Sequence, residues 1–97
     1  MTNLFKEAAE LVDAIDKKHN WNHDTDTVFM HLIEETGEIA RQLYNQKNNR
    51  ERFDIENMKD ELADVFILLC KLADNYQINL EEAVKKKMEK NKKRFGI

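Results

Sequence analysis

Apolar residues recur along this chain at helical spacing, broken by three short polar stretches. Leu4, Ala8, Leu11, Val12 and Ile15 share one helical face, which predicts a first helix from about Asn3 to about His19. The run Asn20-Trp21-Asn22-His23-Asp24-Thr25 breaks the period and reads as a loop. Asp24, Thr25 or Asp26 supplies a cap for a second helix reaching about Asn45, with Phe29, Leu32, Ile33, Ile39, Ala40, Leu43 and Tyr44 as its stripe. Asn45 to Arg52 is polar and reads as a second loop. A third helix is predicted over roughly Asp54 to Tyr76. A fourth opens at Asn79, where Asn79 and Glu82 make a capping-box-like pair, and runs to about Phe95.

The third helix departs from simple amphipathicity. From Val65 to Cys70 it is apolar on every side. A helix that is apolar all round needs neighbours all round. One chain of 97 residues has few to offer. The pattern therefore predicts an all-α, four-helix bundle, residues 1–97 as one domain, assembled as a homodimer or homotetramer. The absence of proline and the presence of only two glycines, Gly37 and Gly96, argue the same way against a turn-rich β fold.

Composition narrows the setting. Charged residues make up 36% of the chain and apolar ones 41%, which suits neither a disordered chain nor a membrane span. A start with early acids and no apolar stretch predicts no secretory signal. The single cysteine, Cys70, fits a reducing cytosol, so a cytoplasmic location is expected, with Cys70 as a core residue rather than a nucleophile. The net charge of −3 hides an acidic centre and a basic segment from Lys85 to Arg94. That distribution does not suit duplex DNA, which prefers a broad positive face. It suits a small anion held through a divalent metal and finished by lysine or arginine.

Two acidic pairs carry the candidate chemistry. Glu35 and Glu38 stand three residues apart on the second helix, and Glu61 and Asp64 repeat the spacing on the third. Residues at i and i+3 share a helix face, so each pair repels itself. One reading is that all four are ordinary solvated acids. Glu61 and Asp64, however, share a face with Leu68 on the helix that reads as buried, and buried carboxylates need pairing or metal. Mg²⁺ takes hard oxygen ligands and keeps waters for phosphate groups, so four carboxylates on two facing helices could hold one or more such ions.

The order of these motifs resembles a known family. Glu34-Glu35-x-x-Glu38, 22 intervening residues, then Glu61-x-x-Asp64 is similar to the EExxE and ExxD signature of the all-α nucleotide pyrophosphohydrolases: MazG, dimeric dUTPases and phosphoribosyl-ATP pyrophosphatase. Lys87-x-x-x-Asn91-x-x-Arg94 resembles the closing stretch of the same family, so the likeness runs from about Asp24 to Phe95. The resemblance implies Mg²⁺-dependent hydrolysis of a nucleoside triphosphate, with Mn²⁺ as a substitute, releasing the monophosphate and pyrophosphate. It implies Glu35, Glu38, Glu61 and Asp64 as metal ligands, and Glu34 as the residue that orients the attacking water or a neighbouring ligand. A role in clearing noncanonical or excess nucleotides is consistent with it, as is a specialist acting on phosphoribosyl-ATP or dUTP.

Further residues have two readings each. Lys87, Asn91 and Arg94 share one face and either bind phosphate or complement the helix dipole. Trp21, an aromatic in a polar loop, either stacks on a base or anchors the loop. His19, His23 and His31 lack the Glu-x-x-His spacing of di-iron bundles, which disfavours a di-metal oxidoreductase. The remaining rival is a non-catalytic helical interaction module.

Overall fold

A computed structural model describes residues 3–97. Four α-helices follow in order: α1 (Leu4–His19), α2 (Thr25–Asn48), α3 (Ile55–Asn75) and α4 (Leu80–Phe95). Among the described residues there is no strand.

Each helix starts at a side chain that accepts orphan backbone N–H groups. Asn3 caps α1, Asp24 caps α2, Asp54 caps α3 and Asn79 caps α4. Asn79 accepts from the Glu82 N–H, but the reverse half of the expected capping box does not form. The Glu82 carboxylate turns to Lys86 instead, at 2.8 Å. α1 ends on Asn20 in the left-handed region (φ 56°), a conformation asparagine tolerates. α4 ends on Gly96 (φ 68°), where a side chain would strain the backbone.

α2 runs three residues beyond the expected end at Asn45. Its last turn keeps its backbone ladder, with the Asn49 N–H donating to the Asn45 carbonyl at 2.8 Å. No glycine or proline interrupts it, so polarity alone did not end the helix. The expected loop shrinks to Asn49, a 3₁₀ turn (Arg50–Arg52) and Phe53.

α3 is the central element, packed against α2 on one side and α1 on the other. The buried apolar core is built from small residues: Ala8, Ala9 and Val12 of α1, Val28 of α2, and Cys70 and Ala73 of α3. Phe5 meets Phe66 edge to face with centroids 5.1 Å apart, adding an aromatic contact between α1 and α3. Cys70 is buried, as its place in an apolar run implied. The all-round burial expected of Val65 to Cys70 is not reached within one chain. Val65 to Leu68 are half-buried and Leu69 is 40% exposed.

α4 differs from the other three helices in having no buried residue. Its start is tied to α1 by a hydrogen bond from the Asn3 amide to Glu81, at 3.1 Å. Its apolar residues Val84, Met88 and Phe95 are exposed. Among the described residues no helix is long and apolar enough to cross a membrane.

Candidate metal centre

The antiparallel α2–α3 pair brings together residues 26 positions apart in sequence. Glu35 projects from the middle of α2, and Glu61 and Asp64 from the first half of α3. One carboxylate oxygen from each lies within 4.8 Å of the others. Glu35 and Glu61 are half-buried, while Asp64 faces outward. None of the three forms an ion pair with a lysine, arginine or histidine among the described residues.

The electrostatics record the cost of that convergence. A hydrogen bond with Glu61, desolvation, and the charges of Glu61, Asp64 and Glu38 together push the Glu35 carboxyl up to about 7. Asp64 is also raised, by desolvation first and then by Glu61 and Asp60. Glu61 Oε2 is buried and has no hydrogen-bond partner. A buried, unpartnered carboxylate oxygen calls for an explanation, and a cation is a common one. Three hard oxygen donors close together, with no basic side chain paired to them among the described residues, fit a hard divalent cation.

The other expected site residues lie outside this three-residue cluster. Glu38, one turn further along α2, is half-exposed with its carboxylate 3.9 Å from Arg41, though its charge still raises Glu35. Glu34 is exposed, 3.8 Å from His31 Nδ1. Lys87, Asn91 and Arg94 are exposed on α4. Arg94 lies over the Phe95 ring at 5.2 Å, and neither Lys87 nor Arg94 forms an ion pair among the described residues. Trp21 is 58% exposed and stacks on His19, with centroids 4.5 Å apart.

The Trp21 loop is firmly held. His23 contacts the Asp16 carboxylate through its ring, and its backbone N–H donates to the same carboxylate at 2.9 Å. Burial raises the Asp16 carboxyl, but these two hydrogen bonds outweigh it and hold it below the usual range. The Asn75 amide donates to the His23 carbonyl, tying the loop to the end of α3. Around it lies an open cavity of about 630 Å³, lined by Asp16, Trp21, Asn22, His23, Lys71 and Asn75 among others.

The family model of the MazG nucleotide pyrophosphohydrolase domain matches residues 23–95. The chain belongs to the MazG family. The match takes in the whole α2–α3 pair and α4, and so every member of the acidic cluster. A relative from Bacillus subtilis (strain 168), "Uncharacterized protein YpjD", is 39% identical over 62 residues. That stretch covers 61% of this chain and 56% of YpjD, so the chain spans little more than half of that relative's length.

Two buried polar residues of this MazG domain had no place in the sequence reading. Gln42 is 5% exposed and Lys71 is 8% exposed. Lys71 bridges α3 to Asp13 of α1 and approaches Asp74 at 3.9 Å, so it holds the bundle together. Each breaks an apolar stripe in the sequence, and that interruption was the available signal.

Proposed function

We propose that this MazG domain is a Mg²⁺-dependent nucleoside triphosphate pyrophosphohydrolase that yields the nucleoside monophosphate and pyrophosphate. The observation that carries the reading is the meeting of Glu35, Glu61 and Asp64 from two helices around the unpartnered Glu61 Oε2. Membership of the MazG family supplies the reaction class.

Glu35, Glu61 and Asp64 would hold Mg²⁺ or Mn²⁺, with Glu38 as the fourth carboxylate. When bound, such an ion neutralises triphosphate charge, activates water and stabilises the leaving pyrophosphate. Glu34 orients the attacking water or a neighbouring ligand. Water adds to the α-phosphorus, the bond to the α–β bridging oxygen breaks, and that oxygen leaves with pyrophosphate. Lys87, Asn91 and Arg94 donate charge-assisted hydrogen bonds to the phosphates. Trp21 stacks on the base from its held loop. No side-chain nucleophile is needed, consistent with the buried state of Cys70, whose thiol desolvation pushes upward.

The reading includes self-association as a homodimer or homotetramer. Exposed Leu69 and the bare apolar residues of α4 support it. It also includes a cytoplasmic setting and a role in clearing noncanonical nucleotides. The test is a panel of canonical and modified nucleoside triphosphates, with phosphoribosyl-ATP, incubated with Mg²⁺ and scored for pyrophosphate. We expect pyrophosphate from at least one substrate and none after chelation. No release from any substrate would favour the interaction-module alternative.

A further inference from the structure

Gln42 is the most buried polar side chain on α2, and its partner is a backbone group of the next helix. Its Oε1 accepts from the Asp54 N–H at 3.0 Å. Asp54 is the N-cap of α3. Among the described residues this is the only side-chain to backbone hydrogen bond that joins α2 to α3 or its cap.

The positions of the two partners are informative. Gln42 stands seven residues after Glu35, and Asp54 stands seven residues before Glu61. Seven residues is close to two helical turns, so Gln42 shares a face with Glu35, about 10.5 Å further along the axis. In an antiparallel pair, equal steps in opposite directions lead to the facing position. The Gln42–Asp54 bond and the Glu35–Glu61 approach are therefore two rungs of one ladder. Seven residues on the other side stand Val28 and Leu68, fully buried and half-buried. The acidic rung thus lies between an apolar rung, which tolerates sliding, and a hydrogen-bonded one, which does not.

We propose that Gln42 is a positioning residue: its hydrogen bond to the start of α3 sets the axial register that brings Glu61 and Asp64 opposite Glu35. The acidic rung needs such a device because it opposes its own formation. Three carboxylates without a basic partner favour sliding apart, and apolar packing along α2–α3 is non-directional. A directional bond two turns away holds the donors close before a cation arrives, which lowers the reorganisation that binding requires.

The inference rests on the metal-site reading above, and the test separates the two. Gln42→Met keeps the size and helix preference of the side chain but removes the acceptor. Gln42→Glu keeps an acceptor oxygen but buries a charge. Mn²⁺ binding is measured from the free-ion paramagnetic resonance signal, alongside thermal melts without metal. For Gln42→Met we expect a melting temperature close to that of the parent chain and Mn²⁺ affinity weaker by about tenfold. For Gln42→Glu we expect the reverse: a lower melting temperature and near-parental affinity. Met affinity equal to the parent, or affinity that simply follows melting temperature across the three proteins, would overturn the proposal. So would loss of Mn²⁺ binding by a folded Gln42→Glu. No Mn²⁺ binding by the parent chain would instead sink the metal-site reading itself.

Discussion

Glu35 is the residue whose chemistry is most distorted by its surroundings. Its folded carboxyl titrates near 7, against 4.5 for an ordinary glutamate. A carboxyl with a raised folded pKa stabilises the fold fully below the ordinary value, and that contribution is lost as pH rises through about 7. Asp64 shifts in the same direction. We therefore expect the metal-free protein to melt at a lower temperature at pH 8 than at pH 5.5, with Mg²⁺ at pH 8 restoring much of the loss. Melts at both pH values, with and without Mg²⁺, check this; a flat metal-free profile would contradict it. Glu35→Gln and Asp64→Asn should each cut turnover by about a hundredfold while metal-free stability at pH 8 holds or rises, because each removes a repelling charge and a metal oxygen together. Paired melts and pyrophosphate assays read both effects. The three clustered acids were legible as residue types because i, i+3 spacing alone puts like charges on one face. Their meeting across two helices was expected from the motif order, but which of the four acids come within reach of one another was not, because that depends on the α2–α3 register. The interruption of the apolar stripe at Gln42 could mark the residue but not its role, because its partner on the start of another helix is set by the same register.

The elements themselves followed closely from local chemistry. Asp24 and Asn79 were recognisable as caps because asparagine and aspartate accept orphan N–H groups just before an apolar period begins. The end of α2 was misplaced because no glycine or proline marks it; the chain leaves the helix at Asn49, whose backbone is no longer helical (φ −145°, ψ 66°). Asp54 both caps α3 and donates to Gln42, so Asp54→Ala should destabilise the fold by about 1 kcal/mol through the lost cap alone, while its backbone N–H still reaches Gln42. Urea unfolding would show the change in midpoint, with Mn²⁺ affinity little altered. On α4, Lys87→Ala and Arg94→Ala should each raise KM by about tenfold without moving the metal-free melting temperature, since both side chains are exposed and unpaired among the described residues. Unchanged kinetics would leave those cations to the helix dipole.

At the scale of the molecule the chain is more extended than its length requires. Its radius of gyration is 16.1 Å, whereas compact domains of 100 residues have about 13 Å. The excess goes with α4, which has no fully buried residue, and with a core of alanine, valine and cysteine. We expect sedimentation at micromolar concentration to give a multiple of 11.6 kDa; a stable, well-folded monomer would contradict the self-association proposed here. We propose that the α2–α3 carboxylates support cation-dependent hydrolysis between the α- and β-phosphates. Phosphorus NMR of a nucleoside triphosphate turned over with Mg²⁺ tests it most directly, with the parent chain and Asp64→Asn run side by side. We expect monophosphate and pyrophosphate signals to grow for the parent chain and near silence for the variant. Diphosphate and inorganic phosphate as products, or equal turnover by both proteins, would contradict it.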